Sequence, residues 1–144
     1  MAITEEQLWK RAKVLYRHPS IELVFDEATG IFITHWLGYT TASDYRKALE
    51  VALELARPLK IRAWVGDHRQ MRIISPENQR WTSDEWWNGF ATLGHTRLAV
   101  VVGADLFNKL SVDRIIMKAS PRSPWETQHF DALQPAIDWA AGAP

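Results

Sequence analysis

A single α/β domain, with a mixed β-sheet that opens on a hairpin and carries helices packed against it, is predicted by three features of the 144-residue chain. Residues 21–37 alternate apolar and polar side chains around a turn that ends in glycine. Two short runs, 61–65 and 98–102, are apolar on both faces, as interior strands covered by helices are. Around these runs lie stretches whose apolar residues recur at helical spacing.

Taken in order, residues 4–13 read as a short amphipathic helix with Leu8, Trp9 and Ala12 on one side. Residues 1–19 are set apart as an extension, ahead of a domain over 20–144. Ile21, Leu23 and Phe25 alternate with Glu22 and Asp26, the period of a strand. Asp26-Glu27-Ala28-Thr29-Gly30 is a polar connection with glycine where a left-handed residue is commonly needed, and 31–37 returns. Thr41 and Asp44 match a capping box. Tyr45, Ala48, Leu49, Ala52, Leu55 and Ala56 then fall on one helical face, and Pro58 stops the helix.

Ser75-Pro76 places a capping residue before proline at the first helical position. Trp86, Trp87, Phe90 and Leu93 follow, with Thr82–Glu85 as a point of interruption and Gly94 as the expected C-terminal cap. Residues 105–119 read as a helix that buries Leu106, Leu110, Ile115, Ile116 and Met117, and 125–130 as a strand. Asp131 is expected to cap a final helix, with Gln134 as its capping-box partner and Leu133, Ala136, Ile137 and Ala140 facing inward. Pro135 is tolerated there because it lies in the first turn. Right-handed crossovers limit how such strands and helices combine.

Composition narrows the functional classes. Lys plus Arg and Asp plus Glu each total 17, so no global field draws nucleic acid or an anionic membrane. The absence of Cys removes disulfides, thiolate nucleophiles and Cys-based zinc sites. No run reaches about 18 apolar residues, and the first twenty residues lack a signal-peptide apolar core; the expectation is a cytoplasmic protein. Eight Trp are many for this length, and such rings belong in a core or at an interface.

The element order, carried by IELVFDEATGIFITHWLG, TTASDYRKALEVALELA, IRAWVGD, RLAVVVG and a closing FDALQPAIDWA, resembles the STAS-like domains, relatives of anti-sigma-factor antagonists within a superfamily that includes CRAL-TRIO lipid-transfer domains. The resemblance covers about residues 20–141, and the closing Phe-Asp-x-Leu-x-x-Ala-x-x-Trp is its most specific part. It implies a small regulatory domain rather than an enzyme. In that family a Ser or Thr at the start of the helix after the third strand is phosphorylated, which switches binding to a kinase-like partner. Residues 67–78 match that region, Ser75 is their only hydroxyl residue, and the family's Asp-Ser motif is absent.

Read as residues, Ser75 is a helix N-cap, worth about 0.5–2 kcal/mol, with phosphoacceptor as the sharper alternative because Arg69 and Arg72 lie close by. Asp67 and His68 follow an interior strand, a common place for ligands. Neighbours in extended chain point to opposite faces, so they make a poor catalytic pair. His18, His35, His95 and His129 have no metal-ligand spacing, and no catalytic residue, metal site or cofactor is predicted. His35 reads as a satisfied, partly buried strand residue.

Basic residues cluster at 57–80 (Arg57, Lys60, Arg62, Arg69, Arg72, Arg80) and at 109–122 (Lys109, Arg114, Lys118, Arg122). These are two solvated faces or one patch for an acidic partner. Trp36, Trp64 and Trp139 are assigned to the core. Trp81, Trp86, Trp87 and Phe90 crowd one helix, where adjacent Trp86 and Trp87 differ by about 100° and cannot both aim into one core. One of them is expected to border a hydrophobic pocket or a dimer contact.

The leading reading is a non-enzymatic regulatory or protein-interaction domain with an unknown protein partner or a homodimer contact. The alternative is binding or sensing of a small hydrophobic ligand or lipid beside the Trp-rich helix. An enzyme with an unrecognised site stands third.

Overall fold

Six strands lie in one sheet in the order of the chain in the computed structural model, which describes residues 3–103 and 106–142, without the side chains of 106–108 and 122. Helix α1 (Glu5–Arg11) leads into β1 (Lys13–His18), β2 (Ile21–Asp26) and β3 (Ile31–Trp36). Helix α2 (Ala42–Ala56), β4 (Ala63–Asp67), α3 (Pro76–Trp81), a π-helical turn (Thr82–Trp86) and α4 (Trp87–Phe90) follow. The chain continues through β5 (Arg97–Val101), α5 (Leu106–Ala119), a short 3₁₀ turn (Ser120–Arg122), β6 (Glu126–Phe130) and α6 (Leu133–Ala140). β1 pairs with β2 and β2 with β3 antiparallel; β3 through β6 are parallel neighbours. The mixed sheet with its opening hairpin and packed helices is the predicted fold.

Parallel strands laid down in sequence order and joined by right-handed crossovers must carry every crossover on one face. Accordingly α2, the α3–α4 stretch and α5 all cover the face that presents Phe32, Trp36, Trp64, Leu98 and Val100. The opposite face presents Val24, Ile31, Ile33, Val65 and Val101 and is left to the chain ends, α1 and α6. The two apolar runs of the sequence are β4 and β5, whose side chains face both layers.

Local chemistry sets the element boundaries. Gly30 closes the hairpin at φ 73°, a left-handed value that suits glycine. The Asp26 carboxylate holds the same turn by accepting from the Thr29 amide and hydroxyl at 3.2 and 2.5 Å. The Thr41 hydroxyl accepts the Asp44 amide at 3.1 Å and starts α2. Ala132, not Asp131, occupies the N-cap of α6, without a side-chain cap bond. Gln134 instead reaches the N-terminal segment, donating to the Ile3 carbonyl at 3.0 Å and accepting from the Glu5 amide at 2.6 Å.

The first residues, read as an extension, are thereby tied into the same body. Thr4 and Gln7 form the capping box that starts α1. Arg11 donates twice to the buried Asp26 carboxylate, both at 2.8 Å. Leu8 is fully buried against the α6 face. Residues 13–18 form a strand where none is predicted. They lie at the sheet edge, three exposed and three partly buried, and an irregularity between Val14 and Tyr16 breaks the alternation that marks a strand in sequence.

Two further expectations are corrected. Gly94 does not cap a helix: helical structure ends at Phe90, and positive φ among the described residues is confined to Gly30, Gly38 and Gly142. Helix α5 buries Val112, Ile115 and Ala119, whereas Leu110 and Met117 are 40% and 76% exposed. Met117 lies about 200° round the helix from Ile115, so one face cannot bury both. The side chain of Leu106 lies outside the described residues.

Leu8→Ala is expected to cost about 2–5 kcal/mol in urea unfolding, the range for a deleted buried leucine. A loss below about 0.5 kcal/mol, the level of an ordinary surface substitution, would show that α1 is not part of the folded body.

Candidate functional site

The strand β4 ends in Asp67, and the chain then places Asp67 and His68 on opposite sides of the sheet, as extended backbone requires. Asp67 is 1% exposed and faces the α1–α6 layer. Parallel register sets His35 of β3 directly beside it. Its Oδ2 is 2.8 Å from His35 Nδ1 and accepts from Arg69 Nη2 at 2.8 Å; its Oδ1 accepts from Arg69 Nε at 2.9 Å and the Arg69 amide at 3.2 Å. Burial alone would raise this carboxyl's pKa, but the Arg69 and His35 hydrogen bonds outweigh it and hold the group well below the usual carboxylate range. Trp9 of α1 packs on His35 with centroids 5.2 Å apart. Three side-chain contacts and one backbone amide engage both carboxylate oxygens. The cluster therefore fastens β3, β4 and the following loop, a structural ion network of the kind that also perturbs pKa values.

His68 belongs to the other face. Its ring stacks on Trp36 at 6.4 Å, and its Nδ1 lies 3.5 Å from the Met71 sulfur. Desolvation lowers its pKa to about 4. A Cβ at Gly66 would stand 2.9 Å from His68 Nε2, so the glycine makes room for this ring. Beside it lies a cavity of about 60 Å³, whose walls include Thr34, Trp36, Tyr45, Leu49, Trp64, Trp86, Trp87 and Phe90.

The two adjacent tryptophans both reach the core, the alternative of packing around a broad buried arc: Trp86 is 7% and Trp87 3% exposed. The π turn is the reason. The Trp87 amide donates to the Thr82 carbonyl, five residues back, and a wider turn rotates less per residue. Thr82 and Ser83 hydroxyls donate to the carbonyls of Asn78 and Gln79 at 2.7 and 3.1 Å, the side-chain back-bonding that distorts helices. Trp86 Nε1 then donates to the Leu49 carbonyl at 2.8 Å and Trp87 Nε1 to the Ser123 hydroxyl at 2.9 Å. Phe90 is the hub: Trp64, Trp86, Trp87, His95 and Trp125 all have centroids within 5.0 Å of its ring. Trp81 is partly buried beneath the Arg46 guanidinium, 5.2 Å from the ring. Trp36 and Trp64 are core, as assigned; Trp139 is only partly buried, against Phe130.

Ser75 is exposed, and its hydroxyl accepts the Asn78 amide at 3.2 Å as the N-cap of α3. It lines an open groove of about 240 Å³ with Tyr39, Thr40, Met71, Ile73 and Asn78, formed by the loops that leave the carboxyl ends of β3 and β4. Tyr39 and Ile73 are 73% and 58% exposed there. Arg72 is exposed beside them, while Arg69 is spent on Asp67. The 57–80 basic cluster does not form one patch. Arg57, Lys60 and Arg62 stand before β4 and Arg69 and Arg72 beyond it, separated by a strand about 16 Å long. Lys118 pairs with Asp84 at 2.8 Å, and the Arg122 side chain lies outside the described residues.

Sequence reasoning missed His35 as the partner of Asp67 and His95 as part of the aromatic core. The first has no local signal, because it exists only through β3–β4 register. His95 sits between Phe90 and Trp125 at 4.6 and 4.3 Å, and burial pushes its pKa to about 4. No cluster of three or more His, Asp or Glu suited to a metal occurs among the described residues, and none of their helices is long and apolar enough to cross a membrane. Comparison with protein-family models, with curated proteins and with solved structures found no match.

Acid sensitivity follows from the two lowered histidines. The unfolded chain takes up their protons near pH 6.5, whereas the folded protein resists until about pH 4. Their contribution is full above pH 6.5 and falls as pH drops from 6.5 to 4. That of Asp67, with its depressed pKa, is lost only below about pH 4. Each histidine adds up to about 1.4 kcal/mol per pH unit to the slope. In urea unfolding between pH 7 and 4.5, His95→Phe is expected to flatten the stability curve by up to that amount. An unchanged slope would show that His95 titrates normally.

Proposed function

We propose that the chain is a non-enzymatic, STAS-like regulatory domain that binds a protein partner through the groove between Tyr39 and Ile73. The observation that carries this reading is the pair of large apolar side chains left in solvent at the carboxyl ends of two adjacent parallel strands. Such strand ends are where ligands of α/β sheets dock, and exposed aromatic and aliphatic residues rimmed by polar ones mark interaction surfaces.

The resemblance read from the sequence supports it. The region matched to that family's regulatory helix start brings Ser75 to the groove's wall, exposed, and a phosphate there would add roughly two negative charges to the rim. The buried polar cluster at Asp67 favours the same reading over catalysis, because its carboxylate is engaged by His35 and Arg69. A lipid-sized site has less support: the cavity at Trp86 and Trp87 is about 60 Å³, far below the roughly 300–1,000 Å³ of ligand pockets.

Tagged protein is expected to retain, from extracts of its native cell, a partner that both Ile73→Glu and Tyr39→Ser lose. Arg57→Glu, placed before β4, should keep it. Both groove variants should unfold within about 0.5 kcal/mol of the parent, as exposed positions do. Full retention by both groove variants would refute the groove, and turnover of a substrate by the purified protein would refute the non-enzymatic half. Self-association that Ile73→Glu abolishes in sedimentation velocity would make the partner a second copy of the chain.

Ser75→Asp should weaken the same capture if charge at the rim regulates it. Phosphopeptide mapping in growing, starved and stressed cells checks whether Ser75 is modified at all.

A further inference from the structure

We infer that the cavity behind the π-helical turn is a binding site for a small uncharged molecule of three or four non-hydrogen atoms, with an apolar body and one hydroxyl or carbonyl end. This site is separate from the groove, and it stands or falls independently of the partner reading.

The walls divide by chemistry. Leu49, Trp64, Phe90, Leu98, Val112 and Ile115 make the apolar part. The polar lining comes from Thr34, Trp36, His68, Tyr45 and Thr82, of which the Tyr45 and Thr82 hydroxyls bond each other at 2.7 Å. Trp36 is 1% exposed, and its Nε1 has no hydrogen-bond partner among the described residues. A buried donor left unpaired is costly, and an oxygen acceptor entering the cavity is the kind of group that relieves the cost. A Cβ built on Gly66 would meet His68 Nε2 at 2.9 Å and Thr34 Oγ1 at 3.6 Å, so the absence of a side chain there leaves room for both groups.

Charge and size set the ligand class. None of the described residues lining the cavity is Asp, Glu, Lys or Arg. Desolvation keeps His68 neutral at physiological pH. An ionised ligand would lose its hydration with no opposite charge among the described lining residues to replace it, whereas a hydroxyl or carbonyl could accept from the Trp36 indole N–H. A volume of about 60 Å³ equals about two waters' share of the liquid. Water alone suits the polar end but not the apolar remainder, since a buried water needs two to four polar partners. The π turn adds a third observation. Thr82, Trp86 and Trp87 all line the cavity, and π-helical widenings recur at functional sites.

The test is titration of ¹⁵N-labelled protein with 1-propanol, and with propionate and propylammonium as charged counterparts of similar size. Saturable shifts are expected for 1-propanol at the Trp36 indole N–H and at the amides of Thr34, Gly66 and Trp86. The dissociation constant should lie in the millimolar range, since four atoms cannot bind tighter than on the order of tens of micromolar. Propionate and propylammonium should give no saturable shift.

Thr34→Val should weaken 1-propanol about 2- to 10-fold, the loss of one hydrogen bond. Val112→Ile, which puts a methyl group into the cavity, should weaken it at least about 10-fold without lowering the melting temperature, because filling a void is not overpacking. Val100→Ile is the second filling variant. The proposal is overturned by shifts that rise linearly without saturating, by equal binding of the charged counterparts, or by full binding in the filled variants. It is equally overturned if both filled variants melt below the parent, or if a water contact at the Trp36 indole persists at saturating 1-propanol.

Discussion

Strand order is the constraint from which the rest of the molecule follows. With β3, β4, β5 and β6 side by side in sequence order, right-handed crossovers leave α2, α3–α4 and α5 no choice of face. One side of the sheet therefore becomes a thick layer that must be filled by large side chains. The other side is available only to segments outside the crossovers, which are the two ends of the chain. The unequal covering explains why most of the tryptophans gather on the crossover side and why the N-terminal helix is fastened by Gln134 and Asp26.

The thick layer is organised around aromatic rings rather than aliphatic packing. Phe90 touches rings contributed by β4, by the π turn and α4, and by the segments before β5 and β6. Tilted and edge-on contacts of this kind add to area burial. A void remains in this layer, lined in part by the locally widened helix. The π turn is thus connected to both the packing and the cavity: it lets Trp86 and Trp87 enter the same core, and it opens the wall that both line.

Polar residues at the carboxyl end of β4 are sorted by the same sheet geometry. Alternation sends Asp67 toward α1 and His68 toward α2 and the crossover layer. The consequence is two environments one residue apart. In one, a carboxylate is held ionised by Arg69 and His35; in the other, an imidazole is held neutral by desolvation. The loops that continue from β3 and β4 carry the exposed Tyr39 and Ile73.

What the sequence by itself determined is what short-range chemistry controls. The Gly30 turn, the Thr41 and Ser75 caps, the two-sided apolar strands β4 and β5 and the inward face of α6 all express spacing within a few residues, and each stands as read. The edge strand β1 was illegible because solvent covers it and its irregular register removes the period. The pairing of His35 with Asp67, the true partner of Gln134 and the convergence of Trp86 with Trp87 were decided by tertiary structure. The first two require strands or helices distant in sequence to meet. The third requires a widened turn whose stabilising bonds reach Leu49 and Ser123. Local periodicity records which side of an element is apolar, but not which residue from elsewhere in the chain will stand opposite it.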